Sequence, residues 1–272
     1  MLNADSFFDL GGNYFAPLIN NTEYVWEGLK NIKPFLKENL QPNVKELRMG
    51  RNLIENDTIL YRGKVISRGF EIDNSGKKPV VKMEGEILEG ASIVYAGAFL
   101  MDEEIFIGEN TIIEPTALVK GPAYIGSKSE VRHGAYIRGD VLIGNDCVVG
   151  HTTEIKSSVM LGGSKAGHFA YIGDSILGRV NLGAGTKLAN LKMTDTKVTL
   201  KLNGKTHETG LRKFGAILGD GVETGCNSVT APGTLLGKNV LLYPNGFARG
   251  YYQPGKLIRI RQSYDLVNLE QQ

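Results

Sequence analysis

The sequence predicts an all-β protein, a parallel β-helix built from hexapeptide repeats, with a small α+β region in front of it. Two observations lead to this prediction. An aliphatic residue recurs at every sixth position over a long stretch, and 35 glycines are spread through the chain without a low-complexity tract. A period of six fits neither the 3.6-residue turn of an α-helix nor the alternation of a free strand, whereas each short strand of a β-helix buries one aliphatic residue and then turns a corner.

The six-residue repeat defines the extent of the β-helix. Eleven successive positions are aliphatic, namely Met101, Ile107, Ile113, Val119, Ile125, Val131, Ile137, Ile143, Val149, Ile155 and Leu161. A weaker stretch precedes them one residue out of register (Leu88, Val94, Leu100), and a second block resumes in phase (Leu218, Thr224, Thr230, Leu236, Leu242). Gly108, Gly126, Gly144 and Gly162 recur at every third hexapeptide, so three hexapeptides form one coil. We therefore predict a β-helix over residues 88–250.

The segment before the repeat is expected to form a cap region over residues 1–87. A helix is predicted over residues 21–40, where Val25, Leu29, Ile32 and Leu36 share one face. Pro34 weakens the second half of this helix. The β-forming runs within 58–84 predict hairpins that cover the open first coil, as a stack of repeats requires for solubility.

Two later segments also leave the repeat. Residues 191–214 contain Asn203 and Gly204 between β-forming residues, which predicts a hairpin arm that projects from the prism. Residues 251–272 include the basic run KLIRIRQ and are expected to form an extended C-terminal tail.

Composition argues against several classes of protein. A net charge of +2 gives no reason to expect a nucleic-acid partner. The two cysteines, Cys147 and Cys226, are too few for a disulfide framework and lack the spacing of a metal site. No apolar run approaches the ~20 residues of a membrane span, and the start, MLNADSFFDL, lacks the layout of a signal peptide. We expect a soluble cytoplasmic protein without a membrane partner.

Three cations share one position of successive coils. Lys120, Arg138 and Lys156 are each separated by three hexapeptides, so they stack at the inter-strand spacing of ~4.8 Å. Like charges opposite each other destabilise a sheet, and the stack therefore calls for a reason. Either the side chains extend into water, neutralised by Glu154 or Asp140, or they converge on an anion such as a phosphate.

The histidines allow a similar pair of interpretations. His133 and His151 are also separated by three hexapeptides, which would stack them. A metal site needs three or four convergent ligands, so surface histidines are the preferred interpretation and no metal is expected. His168 lies where the six-residue count changes, and such irregularities often mark functional or strained positions.

One segment resembles a known family. Residues 150–190 read GHTTEIKSSVMLGGSKAGHFAYIGDSILGRVNLGAGTKLAN. The motifs SKAGHxxYxGD and NxGAGT resemble the acetyltransferase domain of the bifunctional glucosamine-1-phosphate N-acetyltransferase and N-acetylglucosamine-1-phosphate uridylyltransferase, loosely over residues 88–240. The resemblance implies a left-handed β-helix, a homotrimer with active sites between subunits, and acetyl-CoA as co-substrate.

The resemblance also implies the site residues. The catalytic base would be His168, which takes a proton from a sugar amine that attacks the acetyl thioester. The residues expected to bind the sugar phosphate are Arg138, Glu154, Lys156, Tyr171, Asn181 and Asn190. Ala184 and Cys226 would lie against acetyl-CoA. Arg138 and Lys156 are also members of the cationic stack, and they would hold the phosphate.

The sequence departs from the family at several positions. The family's NYDG reads NLKM at 190–193, a family serine is Cys226, and one residue fewer separates Gly173 from Asn181. The first 87 residues contain no glycine-rich LxAGxGTRM-like stretch, so nucleotidyl transfer by that fold is not expected. The N-terminal region resembles stand-alone β-helix proteins labelled as UDP-N-acetylglucosamine pyrophosphorylase-related.

Two functions are compatible with these features. The first is an acetyl-CoA-dependent N-acyltransferase that acts on an amino-sugar phosphate, supported by the motif residues. The second is a non-catalytic β-helix subunit that binds a sugar phosphate or sugar nucleotide, supported by the altered loop after Asn190. Because function lies in the site, the fold alone does not choose between them.

Overall fold

The computed structural model describes residues 2–202, 204–261 and 263–266, and it shows a β-helix. The chain winds through about nine coils, and each coil contributes one short strand to each of three parallel sheets. The predicted left-handed parallel β-helix with a small α+β cap region is confirmed. The three sheets are called the first, second and third face below.

The strands of the three faces follow one another along the chain. The first face contains β7 (Phe99–Leu100), β10 (Leu118–Lys120), β13 (Tyr136–Arg138), β16 (Glu154–Lys156), β19 (Tyr171–Gly173), β22 (Lys187–Leu188), β27 (Val229–Thr230) and β30 (Phe247–Ala248). The second face contains β8 (Ile105–Ile107), β11 (Ala123–Ile125), β14 (Val141–Ile143), β17 (Ser158–Met160), β20 (Ile176–Leu177), β25 (Ala216–Leu218), β28 (Thr234–Leu236) and β31 (Tyr251–Tyr252).

The third face is longer because a hairpin adds to its first strand. It contains β2 (Lys64–Ile66), β1 (Thr58–Tyr61), β6 (Ser92–Val94), β9 (Ile112–Ile113), β12 (Glu130–Val131), β15 (Val148–His151), β18 (Lys165–His168), β21 (Asn181–Leu182), β26 (Glu223–Thr224), β29 (Leu241–Leu242) and β32 (Leu257–Ile258). The hairpin of β1 and β2 pairs antiparallel with β6. Three further strands, β3 (Glu71–Asp73), β4 (Val80–Met83) and β5 (Glu86–Ile87), form a separate antiparallel sheet.

The interior is the stack of aliphatic residues that the repeat predicts. Val119 pairs with Ile137 and Ile137 with Ile155, and none of the three is exposed to solvent. The prediction is wrong at the two ends of the run. Leu100 and Met160 occupy the interior there, and their neighbours Met101 and Leu161 do not. Val94 and Leu100 of the weaker block therefore lie in the interior, whereas Leu88 packs in a separate cluster.

A shortening of the coil explains the second of these errors. Paired residues in successive coils show the change. The sequence separation between Val141 and its partner Ser158 is one residue shorter than that between Ile137 and its partner Ile155. The sequence separation between Ala166 and its partner Leu182 is shorter by a further residue. Each omitted residue shifts the later positions in sequence while the strands stay in register. His168 lies within these shortened coils.

The N-terminal segment covers the outer side of the second face. It contains α1 (Pro17–Asn20), α2 (Gly28–Asn39) and 3-10 helices at Ala4–Ser6 and Val25–Glu27. Burial of Trp26, Ile32 and Leu36 against Leu142 and Ile176 of the second face holds the segment in place. The predicted helix is thus present but begins at Gly28, with Leu29 only partly buried.

Residues 43–54 close the open end of the first coil. Val44, Leu47 and Ile54 are buried in the same core cluster as the interior stack, around the short helix α3 (Lys45–Arg48). Backbone hydrogen bonds between Ile54 and the first coil fix this segment. The prediction assigned the cap to the hairpins of 58–84; those hairpins instead extend and cover the third face.

The segment 191–214 forms a hairpin that does not project. Its strands, β23 (Thr199–Leu202) and β24 (Lys205–Glu208), pair antiparallel. Val198, Leu200 and Phe214 are at most 2% exposed and pack in one cluster with Trp26. The interaction is apolar burial, which pulls the arm onto the N-terminal segment. Asn203, the residue predicted to make the turn, lies outside the described residues.

The C-terminal end continues the β-helix beyond residue 250. β31 pairs with β28 and β32 pairs with β29, so the expected tail begins as two further strands. Gln262 and residues 267–272 of that predicted tail lie outside the described residues. Among the helices that the structure describes, none has the length and apolarity needed to cross a membrane.

Candidate active site on two faces

The predicted site residues fall into two groups on adjoining faces. Arg138, Glu154, Lys156, Tyr171 and Asn190 lie on or next to strands of the first face. His168, Asn181, Ala184 and Cys226 border a groove on the third face. The turn between β18 and β19 connects the two faces. Within one chain, the structure therefore does not bring His168 and the two phosphate-binding candidates onto the same face.

The first group forms a charged cluster, defined as Lys120, Arg138, Glu154, Lys156 and Asp174. Arg138 Nη1 donates to Glu154 Oε1 at 2.5 Å. Lys156 Nζ donates to Asp174 Oδ2 at 2.9 Å. Two of the three stacked cations thus carry a carboxylate partner.

The stacking prediction itself is met for the first pair, since Lys120 lies beside Arg138 in register. Both cations also lie over the ring of Tyr136, with Lys120 Nζ at 5.4 Å and the Arg138 guanidinium carbon at 5.8 Å from its centroid. Glu154 is one of the two counter-ions suggested from the sequence. The other, Asp140, is 3.3 Å from Lys33 of α2.

Asp174 connects two of the predicted residues. Its Oδ2 accepts hydrogen bonds from Lys156 and from Asn190 Nδ2, the latter at 2.5 Å. Asp174 is part of the SKAGHxxYxGD motif, but the motif alone assigned it no role. The sequence feature that could have identified Asp174 is its position three hexapeptides after Lys156. Because the coil is shortened here, the strand partner of Lys156 is Gly173, and Asp174 is the next residue.

Tyr171 lies over Gly173 and points toward Asn190. A Cβ on Gly173 would lie 2.6 Å from both the Tyr171 hydroxyl and Asn190 Nδ2, so only glycine leaves room for this arrangement. Burial raises the pKa of Tyr171, and the nearby Glu154 and Asp174 carboxylates raise it further. A hydrogen bond with Glu154 raises the pKa of Arg138. Tyr171 is therefore a neutral hydrogen-bonding group at neutral pH.

The second group borders a groove of about 590 Å³, which we call the corner groove. Gly167 and Gly183 form part of its floor. A Cβ on Gly183 would meet the backbone of Gly225 at 2.5 Å, because the coils approach closely at this corner. Backbone of the closely packed coils therefore forms part of the groove surface.

His168 lies at the end of β18 with an exposed side chain. It is in register with His151, whose ring stacks on that of His133 at 5.3 Å and 5°. The Nδ1 atom of His151 lies 3.1 Å from the carbonyl oxygen of His133. No group of three or more His, Cys, Asp or Glu side chains within the described part of the chain could hold a metal ion.

The two cysteines have different environments. Cys226 is exposed at the corner groove, whereas Cys147 is fully buried in the interior stack. Burial raises the pKa of the Cys147 thiol to about 12, so this thiol stays protonated at physiological pH. Cys226 is therefore the cysteine through which the groove can be labelled.

Sequence comparisons find a family model and curated relatives that match part of the chain. Residues 119–250, slightly less than half of the chain, match the family model described as the GMPPB C-terminal domain. A bifunctional sugar-1-phosphate nucleotidylyltransferase/acetyltransferase of Sulfurisphaera tokodaii is 42% identical over 83 residues, which are 30% of this chain and 21% of the relative. The bifunctional protein GlmU of Methanococcus vannielii is also 42% identical over 83 residues, 30% of this chain and 20% of the relative. The chain thus spans about a fifth of the length of these curated relatives.

Solved structures with a similar course include two transferases. The polysialic acid O-acetyltransferase OatWY aligns over 59% of this chain and 88% of its own, with 14% identity and a TM-score of 0.30. A point mutant of AntD, an N-acyltransferase from Bacillus cereus, aligns over 64% of this chain and 84% of its own, with 14% identity and a TM-score of 0.20.

Fold and motifs define the class of protein. The chain folds as a left-handed parallel β-helix with hexapeptide repeats. Within that class it is similar to the C-terminal part of bifunctional sugar-1-phosphate nucleotidylyltransferase/acetyltransferases, the resemblance that its motifs predicted.

Proposed function

We propose that this protein is an acetyl-CoA-dependent N-acyltransferase that acetylates the amine of an amino-sugar phosphate. The observation that carries the proposal is the grouping of His168, Asn181, Ala184 and Cys226 around one groove. These residues, implied by the motifs, border a single cavity of about 590 Å³. The relative from Sulfurisphaera tokodaii supports acyl transfer, since its name includes acetyltransferase.

In the proposed reaction the sugar amine attacks the carbonyl carbon of the thioester. A C–N bond forms, the C–S bond breaks, and the thiolate of coenzyme A leaves. His168 accepts the proton that the amine loses and returns it to the leaving sulfur. The exposed position of His168 at the end of β18 leaves its ring accessible to both substrates.

The charged cluster would bind the acceptor through its donors. Arg138 and Lys156 each carry hydrogen atoms that match phosphate oxygens, and Tyr171 and Asn190 offer neutral partners for sugar hydroxyls. Glu154 and Asp174 hold the two cations in place. When an acceptor binds, its phosphate replaces these carboxylates as the partner of Arg138 and Lys156.

The division of the site between two faces favours a homotrimer with the site between subunits. His168 and the charged cluster face different directions within one chain. Packing the third face of one copy beside the first face of the next would bring the groove of one subunit to the charged cluster of the other. We propose this arrangement, in which each site needs two chains.

The test is a thioester-release assay with acetyl-CoA and a panel of amino-sugar phosphates. Removing a general base typically lowers the rate by 10²–10⁴-fold, and we expect a loss of about that size for His168→Ala. The matched control is His133→Ala, an exposed histidine at the same corner two coils away. A loss of equal size in both variants would contradict the role of His168.

A binding assay separates the two candidate functions. Acetyl-CoA in the groove should protect Cys226 from alkylation, measured by mass spectrometry on the intact protein, while buried Cys147 stays unmodified throughout. Absence of turnover on every acceptor, together with sugar-phosphate binding that Arg138→Ala removes, would instead assign the protein as a non-catalytic sugar-phosphate-binding subunit.

A further inference from the structure

A loop from the cap region forms one end of the corner groove. Residues 74–79 connect β3 to β4, and Lys78 of this loop lines the groove. Lys78 Nζ lies 3.0 Å from Glu130 Oε1. Arg132 binds the other oxygen of the same carboxylate, with Nη2 at 2.6 Å and Nε at 2.9 Å from Oε2. Glu130 thereby holds two cations from different parts of the chain at one point.

Two more cations line the groove: Lys128 lies near this end, and Lys165 lies on β18, two strands further along the third face. Lys128 and Lys165 are exposed, and within the described residues neither forms an ion pair with a carboxylate. The groove lining thus carries four positive side chains, Lys78, Lys128, Arg132 and Lys165, against the two carboxylates Glu130 and Asp146. Its formal charge is +2, in a chain whose whole net charge is also +2.

This end differs from the charged cluster in how its cations are engaged. In the cluster, Arg138 and Lys156 each have their own carboxylate partner. In the groove, Glu130 forms ion pairs with both Lys78 and Arg132. Within the described residues, Lys128 and Lys165 have no carboxylate partner. Free ammonium groups at the edge of a cavity attract an anion without first losing a partner.

We propose that this basic end of the corner groove binds a phosphate group of a phosphorylated ligand. The proposal deepens the acyltransferase proposed above and rests on it, because it adds a phosphate-binding position to the groove in which that reaction is placed. It also gives the cap region a role, since Lys78 comes from residues that precede the β-helix. Glu130 acts here as a positioning residue that fixes Lys78 and Arg132.

The distance to His168 is compatible with two sources of phosphate. Lys165 and His168 are at opposite ends of the four-residue strand β18, about 10 Å apart at ~3.3 Å per residue. Lysine side chains reach several ångströms from the backbone, so the phosphate of a sugar or a phosphate of coenzyme A can meet them. The shared chemistry is a phosphate ester, and the experiment distinguishes the two sources.

The test measures binding rather than turnover, with acetyl-CoA, 3′-dephospho-acetyl-CoA, glucosamine 1-phosphate and inorganic pyrophosphate as separate probes. The variants are Lys165→Gln and Lys128→Asn; asparagine suits position 128 because the backbone there has a φ of 60°. Lys64→Gln is the control, since Lys64 is an exposed lysine of β2 that does not line the groove. Calorimetry at two salt concentrations gives Kd and its salt dependence.

We expect each groove variant to weaken binding of at least one probe by about tenfold, the scale of a lost charge-assisted hydrogen bond, and to flatten its salt dependence. Weakening confined to acetyl-CoA assigns the 3′-phosphate of coenzyme A, whereas weakening of glucosamine 1-phosphate places the acceptor phosphate at the groove and contradicts its binding by the charged cluster. Affinities that match the Lys64→Gln control, or no binding of any probe, would overturn the proposal. Intact binding without turnover would contradict the acyltransferase instead.

Discussion

Gly173 sets the geometry of the charged cluster at the scale of single residues. Its missing side chain leaves space in which the Tyr171 hydroxyl and the Asn190 amide lie close together. Asn190 in turn shares the Asp174 carboxylate with Lys156. Tyr171 and Asn190 therefore lie against a position that has no Cβ, and Asn190 connects them to Asp174 and Lys156.

The first prediction concerns Gly173→Ala. The new methyl group would lie 2.6 Å from two polar atoms, so Tyr171 or Asn190 has to move. We expect a loss of about 1–3 kcal/mol in the free energy of unfolding, the usual cost of overpacking, and weaker binding of the acceptor. Urea denaturation measures the first and calorimetry the second.

The chain contains a matched control for this variant. Gly167 lies on the neighbouring strand β18 of the same coil, and a Cβ there would have no heavy atom within 4 Å. Gly167→Ala should leave the free energy of unfolding nearly unchanged. Equal losses in both alanine variants would show that the effect comes from the strand backbone rather than from Tyr171 and Asn190.

At the scale of elements, the shortened coils decide where His168 lies. The sequence separation between paired residues of β15 and β18 is one residue less than three full hexapeptides. Between β18 and β21 it is two residues less. The deletions fall in the turns, so the strands keep their inward and outward alternation. His168 thus remains at the same corner as His133 and His151 although the six-residue count has changed.

The hairpin of β23 and β24 is the second element whose position matters. It follows Asn190 and packs on the N-terminal segment through Leu200, which is 2% exposed. Leu200→Ala should lower the free energy of unfolding by about 2–5 kcal/mol, the range for a buried leucine. Chemical denaturation followed by circular dichroism gives the value.

Met193 provides the control for the hairpin variant. It lies in the same inserted segment, but its side chain is fully exposed. Met193→Ala should change the free energy of unfolding by less than about 0.5 kcal/mol. If Leu200→Ala also leaves the free energy of unfolding unchanged, the hairpin does not contribute to the stability of the packed cluster.

At the scale of the whole molecule, the β-helix is a stack with two ends, and its first end is closed by residues 43–54. Val44 is fully buried against the interior of the first coil. Val44→Asp places a charge there without a partner, and we expect a loss of more than about 3 kcal/mol in the free energy of unfolding.

The control for the end cap is the next residue along the chain. Lys45 is exposed at the start of α3, so Lys45→Asp changes charge without entering the core. Thermal unfolding of the two variants beside the unchanged protein compares a buried with an exposed acid. A melting temperature for Val44→Asp as high as that of Lys45→Asp would contradict the role of this segment as a cap.

The β-helix, the three-strand coil and most of the interior follow from the order of the amino acids alone. They obey a strictly local rule, because one aliphatic residue must point inward on every strand. The same rule is enough to stack Lys120 on Arg138. The motif SKAGHxxYxGD likewise identifies residues that the structure groups around the corner groove and the charged cluster.

The tertiary structure determines which of these residues are in contact. The six-residue count cannot show that the arm of 191–214 folds back onto Trp26. Nor can it show that Lys78 reaches the groove. Contacts between distant segments depend on shape and burial in three dimensions, and no spacing along the chain encodes them.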